Sequence, residues 1–375
     1  MAHIKRYLEE KISENLKNRK ILIIYGPRQA GKTTLVRKFL NDFSNNAYLN
    51  GDLLDDQDKL KDLTHGMIDQ FSGKSLLVID EAQRVLDIGM KLKVIFDALP
   101  KLKIIATGSS AFELANKVNE PLTGRYFSFI MYPISLYEMQ KNAVPFNINE
   151  LLVYGSYPEV VTAEGSDIKE RIIKNIASNY LFKDLLNIEY IKNPRSLEYL
   201  LKALALQVGG EVSMNELANT LNLDMKTVAS YMDILEKLYI IFPLHPFYTN
   251  KRKSITKLRK YYFYDLGIRN SILNDFTPVE KRADIGALWE NFCIAERMKR
   301  NDAIGRVVQY YFWRSYKGDE IDLLEVRGTE VRGFECKWKN TSLQKKIKDI
   351  YSEDLGGLGD LQIIFPGNVP EFAGS

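Results

Sequence analysis

The sequence predicts an α/β chain of several domains, and three observations carry that expectation. An apolar run, Ile21–Tyr25, leads straight into a glycine-bearing turn, GPRQAGKTT, and from there into a helical pattern. A second apolar run, in SLLVIDEAQ, stops at two adjacent acids. Near the C-terminus, DEIDLLEVRGTEVRGFECKWK alternates apolar and polar residues on both sides of Gly328-Thr329, the pattern of a β-hairpin. In 375 residues there is room for about two to three domains.

Composition narrows the class. The chain is 45% apolar and 27% charged, an ordinary globular balance that argues against disorder. A net charge of +4 permits contact with nucleic acid without arguing for it. Cys293 and Cys336 have no metal-ligand spacing, which fits a reducing cytoplasm and excludes a disulfide framework or a thiolate zinc site. The histidines, His3, His65 and His245, are scattered. No run approaches the roughly 20 apolar residues of a membrane span, so no membrane partner is expected. The charged start is no signal peptide; Ile4, Leu8, Ile12 and Leu16 fall at helical spacing instead.

The first element is a buried parallel strand, Ile21–Tyr25, followed by G-x-x-x-x-G-K-[ST] from Gly26 to Thr33. Glycines in such a turn let main-chain amides face an anion, and the helix behind presents its positive end. The expected phosphate cradle is Gly26, Pro27, Arg28, Gln29, Ala30, Gly31, Lys32, Thr33 and Thr34. Lys32 would reach the β- and γ-phosphates of ATP, and the Thr33 hydroxyl would ligate Mg²⁺. The strand before and the helix after are the context this motif requires. Asp80 and Glu81 close the second strand, where an open α/β sheet places its ligand chemistry. Asp80 would join the Mg²⁺ shell, and Glu81 would orient or deprotonate the attacking water; the plain alternative is a solvated strand end. A third strand, KIIATGSS, ends in Ser109 and Ser110; either could sense the γ-phosphate or cap the next helix. Arg125, at the start of an aromatic strand, is a candidate arginine finger or an ordinary salt-bridge partner.

From Pro133 to Pro194 the pattern is mostly helical, broken at Gly155 and Pro158. Ser213 with Glu216 opens one short helix and Asp224 the next, in which Val228, Tyr231, Leu235 and Leu238 share a face. Two such helices followed by a strand pair suggest a winged helix-turn-helix. Its second helix exposes the mixed set Lys226, Asp233, Glu236 and Lys237, so DNA contact falls to the wing tip, NKRKSITKLRK, with its cations from Lys251 to Lys260. The plain alternative is a solvated charged loop.

Taken together, GPRQAGKTT, IDEAQ, ATGSSAFEL, LTGRYFSFIMYPIS, YGSYPEVV, YYFYDLG and ALWENF resemble, in order and over almost the whole chain, the prokaryotic AAA-family ATP-binding proteins with an uncharacterised C-terminal half. The resemblance implies a P-loop AAA-type ATPase domain at 1–140, with its sensor strand between the other two. It implies a helical linker or lid at 141–195, a winged helix at 196–266 and a restriction-endonuclease-like domain at 267–375. In the C-terminal hairpin the register pairs Val326 with Val331 and Glu325 with Arg332, and sets Ile321 and Leu323 with Cys336 and Phe334 on one apolar side. Asp322 then faces Glu335, and like charges so placed are destabilising unless a cation lies between them. Asp322, Glu335, Lys337 and the helical Glu290 resemble a PD-(D/E)xK nuclease centre, although Ile321 stands where the motif has proline. Asp322 and Glu335 would bind Mg²⁺, and Lys337 would position or deprotonate the water. The plain alternative is a cross-strand Glu320–Lys337 pair on a binding scaffold. The expected partners are ATP, DNA and further copies of the chain. The runner-up function is an ATP-controlled switch with a catalytically inactive C-terminal domain.

Overall fold

The computed structural model of the chain describes residues 4–62, 64–109, 121–178, 193–248, 258–315, 318–340 and 361–374. It forms two compact units, one of Lys5–Pro133 with Lys237–Tyr239, the other of Met1–Ile4, Ile134–Glu236 and Ile240–Ser375.

The first unit is built on five parallel strands, β1 (Ile21–Tyr25), β2 (Asn46–Asn50), β3 (Leu76–Asp80), β4 (Lys103–Gly108) and β5 (Tyr126–Ile130). Their order, β2-β3-β4-β1-β5, sets β4 between the two motif-bearing strands, as the resemblance implies. Both β1 and β3 are buried at every residue, which is why they read as unbroken apolar runs: parallel sheets are covered on both faces. The helix Leu8–Asn15 and its C-cap, Leu16, join this core through Leu8, Ile12 and Leu16, packed with Leu22, Ile24, Leu35, Val36 and Phe39. Burying each such side chain is worth about 1.5–3 kcal/mol. Because all five strands point one way, Tyr25, Asn50, Asp80 and Gly108 end on the same sheet edge.

The second unit begins with helices, including Leu136–Lys141, Ile148–Tyr154, Ser166–Ala177 and Pro194–Leu206. Ser213 accepts from the Glu216 amide at 3.3 Å and Asp224 from the Thr227 amide at 2.9 Å, opening Met214–Leu221 and Met225–Lys237 as the sequence predicts. A mixed seven-stranded sheet follows, from β6 (Glu211–Val212), β7 (Ile241–Pro246), β8 (Arg259–Phe263), β9 (Gln309–Arg314), β10 (Glu320–Arg327), β11 (Glu330–Cys336) and β12 (Leu361–Ile364). Its order is β12-β11-β10-β9-β7-β8-β6. The β7–β8 pair, expected as the strand pair of a winged helix at 196–266, continues into the C-terminal strands through a parallel β7–β9 contact at His245 and Pro246. One sheet therefore spans residues on both sides of position 266.

The β10–β11 hairpin has the expected register, from Leu323↔Phe334 to Arg327↔Glu330. A bulge changes what that register does. Between Ile321 and Leu324 the pairing of β10 with β9 slips by one residue, so strict alternation fails. Ile321 packs with Leu324, Trp313 and Val331 instead of sharing a face with Leu323. Glu325, although opposite Arg332, turns inward to Arg297 of the long helix Ile285–Ala303, at 2.7 and 3.1 Å. Arg332 pairs with Glu330 instead.

Candidate functional sites

The nucleotide loop leaves β1 and re-enters a helix, Lys32–Asp42, at Lys32. Gly26 takes φ 146, and a Cβ there would come within 2.2 Å of the Met131 carbonyl oxygen, so only glycine fits. The Lys32 ammonium is buried and donates to the carbonyls of Gly26 and Pro27, both at 2.8 Å. Burial lowers it to about 8, against the pull of Glu81 and Asp80. Asp80 is buried at the end of β3 and accepts from the hydroxyls of Thr33 at 2.7 Å, Tyr48 at 3.0 Å and Thr107. These hard oxygens suit Mg²⁺, and Thr33 with Asp80 would hold it. Glu81 occupies the left-handed region at φ 49, a strained backbone for a non-glycine residue. Its amide is tied to Thr107 Oγ1 at 3.1 Å. Gln83 donates to both Glu81 Oε2 at 2.6 Å and Ser109 Oγ at 3.0 Å. Lys32, Thr33, Asp80, Glu81 and Ser109 are thus brought together; Ser110 lies outside the described residues.

Arg125 does not join them. Its carbonyl bonds the Ile21 amide at 2.9 Å, at the start of β1, roughly 15 Å of strand away from the loop. Its guanidinium pairs with Asp97 at 3.1 Å, so the salt-bridge alternative describes its place within the chain. The sequence also gave no warning of Arg6, whose guanidinium holds the Ala30 and Tyr132 carbonyls at 2.6 Å each and braces the nucleotide loop from outside.

The second site lies where Ile285–Ala303 crosses the seven-stranded sheet. Asn291 locks that helix to β8, exchanging 2.8 Å bonds with both the amide and the carbonyl of Phe263. The next residue back, Glu290, is thereby set against Lys260 at 3.1 Å and the Tyr262 hydroxyl at 2.5 Å. Glu290, Glu320 and Asp322 each offer an oxygen, all within 4.8 Å of one another. Asp322 accepts from the Cys336 amide at 2.7 Å. Burial, with the charges of Glu290 and Glu335, pushes the Asp322 carboxyl well above its usual range, and burial likewise raises Glu290. Glu335 is buried; its Oε1 meets Lys337 at 2.6 Å, while its Oε2 is enclosed with no hydrogen-bond partner among the described residues. An orphaned carboxylate oxygen beside three convergent ones is a donor set that fits Mg²⁺ or Mn²⁺.

Two expectations are corrected here. Glu320 does not pair with Lys337; it pairs with Lys260, because Lys337 is held by the neighbouring Glu335. Lys260, read as the end of a DNA-facing basic run, is 3% exposed and points into the acidic cluster. Residues 249–257 of that run lie outside the described residues. Alternation along β8 was the available signal: Lys260 and Tyr262 stand two apart and both reach Glu290.

Comparisons with known proteins agree with the fold of the first unit. Residues 18–140 match the AAA domain family, 146–278 a domain of unknown function (DUF8612) and 285–364 another (DUF4143). The fold and the loop geometry of the N-terminal segment agree with that AAA-domain match. The chain is similar to an uncharacterized protein of Mycobacterium tuberculosis, 26% identical over 92% of this chain and 76% of that protein. An uncharacterized protein of Haemophilus influenzae is 25% identical over 76% of each. Among solved structures, a Walker-type ATPase of Pyrococcus abyssi shares the fold with a TM-score of 0.51, at 16% identity over 72% of this chain and 96% of that one. Among the described residues no helix is long and apolar enough to cross a membrane.

Proposed function

We propose that the protein hydrolyses ATP at the N-terminal loop and acts on nucleic acid through a metal-dependent nuclease centre in its second unit. The observation that carries the second half is the convergence of Glu290, Glu320 and Asp322 beside the buried, half-unpartnered Glu335. In this reading residues 196–266 engage the nucleic acid as a winged helix, and 267–375 supply most of the cutting residues. At the first site Mg²⁺ would neutralise phosphate charge, while Lys32 grips the phosphates and Glu81 orients water. At the second a divalent ion would lower the pKa of a bound water, with Lys337 placed to orient it. The Lys337 ammonium is partly exposed, and Glu335 holds it above its usual range against the opposing effect of burial.

The test uses supercoiled plasmid and single-stranded DNA, with Mg²⁺ or Mn²⁺, with and without ATP. Nicking is expected from the natural protein and is expected to fall to background in Asp322→Ala and in Lys337→Ala. Absence of cleavage under every condition would favour the ATP-controlled switch, with the second unit as a scaffold.

A further inference from the structure

The acidic cluster already contains a cation. Lys260, second residue of β8, is buried with its ammonium 3.1 Å from Glu290 Oε1 and closer still to Glu320 Oε1. It also lies 5.3 Å from the centre of the Phe312 ring. Burial opposes its charge, but Glu290, Glu320 and Asp322 more than restore it. Four carboxylates, Glu290, Glu320, Asp322 and Glu335, face two ammonium groups, Lys260 and Lys337. Carboxylates thus outnumber the ammonium groups, which leaves oxygen donors for a further cation. The enclosed Glu335 Oε2, which nothing in the described structure satisfies, points the same way.

We infer that the cluster is a cation-exchange site: Lys260 is its resident cation, and a divalent metal ion enters by taking over the Glu290 and Glu320 oxygens that Lys260 holds. The inference rests on the metal-dependent reading of these carboxylates. A divalent ion and an ammonium cannot occupy the same two oxygens in a buried site, since their repulsion is weakly screened there. Lysine suits the exchange because its charge is compact and its four-carbon stem is flexible. Glu320, one of the two carboxylates that Lys260 holds, is partly exposed, so the ammonium already contacts a group that reaches water. Lys260 therefore guards the site, and metal uptake and Lys260 release are one event.

The experiment follows Mn²⁺ binding by calorimetry together with acetylation of individual lysines by an N-hydroxysuccinimide ester, read by peptide mass spectrometry. Asp322→Asn serves as the control for metal bound elsewhere. In natural protein without metal, Lys260 should react at least about tenfold more slowly than the exposed Lys101. Saturating Mn²⁺ should raise its rate about tenfold. Lys260→Met, checked for folding by circular dichroism, should bind Mn²⁺ about tenfold more tightly or better. If that variant does not fold, the acetylation result on natural protein decides alone. Mn²⁺ heat that Asp322→Asn abolishes, with Lys260 reactivity unchanged, would overturn the exchange and leave the metal site standing. Absence of any Asp322-dependent heat in both natural protein and Lys260→Met would remove the metal site and the exchange together.

Discussion

Glu81→Gln is expected to keep ATP binding within a few-fold and to slow hydrolysis by about 10²–10⁴-fold, the range for loss of a positioned general base. Gln83 donates to Glu81 Oε2, and a glutamine oxygen can accept the same bond, so the local structure should survive. What the amide cannot do is take a proton from water or align it by charge. Lys32→Ala should fail differently. Its ammonium is the buried cation of the loop, and without it the phosphates lose their main counter-charge, so nucleotide affinity itself should fall by at least about tenfold. Calorimetry with ATP and phosphate release measured side by side separate the two failures. Unchanged turnover in both variants would remove the assigned roles. The left-handed backbone at Glu81 supports its assignment, since strain of this kind persists where the surroundings enforce it.

The largest expected loss of stability is at Arg297, and it should reach about 3–5 kcal/mol in Arg297→Ala. The guanidinium makes a two-point contact with Glu325 at 2.7 and 3.1 Å and donates to the Phe372 carbonyl at 2.6 Å. It also sits over the rings of Phe334 and Phe372, 5.0 and 4.8 Å from their centres. Glu325 is 2% exposed, so removing Arg297 leaves a buried charge supported mainly by Asn301, at 2.6 Å. Replacing both partners, as Arg297→Met with Glu325→Leu, should recover most of the loss, because neither desolvated charge then remains. Tryptophan fluorescence during urea unfolding reads this unit by itself, since Trp289, Trp313 and Trp338 all belong to it. A loss under about 1 kcal/mol in the single variant would show that water reaches the pair.

What the sequence disclosed was whatever is local along the chain. The loop from Gly26 to Thr34, the acids ending β3 and the hairpin register depend on neighbouring residues and a short repeat. The residues that complete the sites arrive by topology. Thr107 and Tyr48 reach Asp80 only because β4 and β2 flank β3. Glu320 was read only as a cross-strand partner of Lys337 because a two-residue repeat cannot show which helix crosses the strand, nor a bulge at the next position. Lys260 was misplaced for a related reason: it closes a basic run, and charge counting along the chain does not register that β8 turns alternate side chains inward. Arg125 looked available until strand direction put it at the opposite sheet edge.

The continuous sheet of the second unit governs how the chain can be dissected. A fragment starting at 267 would retain β9 but lose its neighbour β7, exposing a raw row of amides and carbonyls open to self-association. It would also forfeit the lysine and tyrosine that grip Glu290 from β8. The acidic centre is therefore no detachable module; it exists only while strands from both sides of that cut stay hydrogen-bonded through β7.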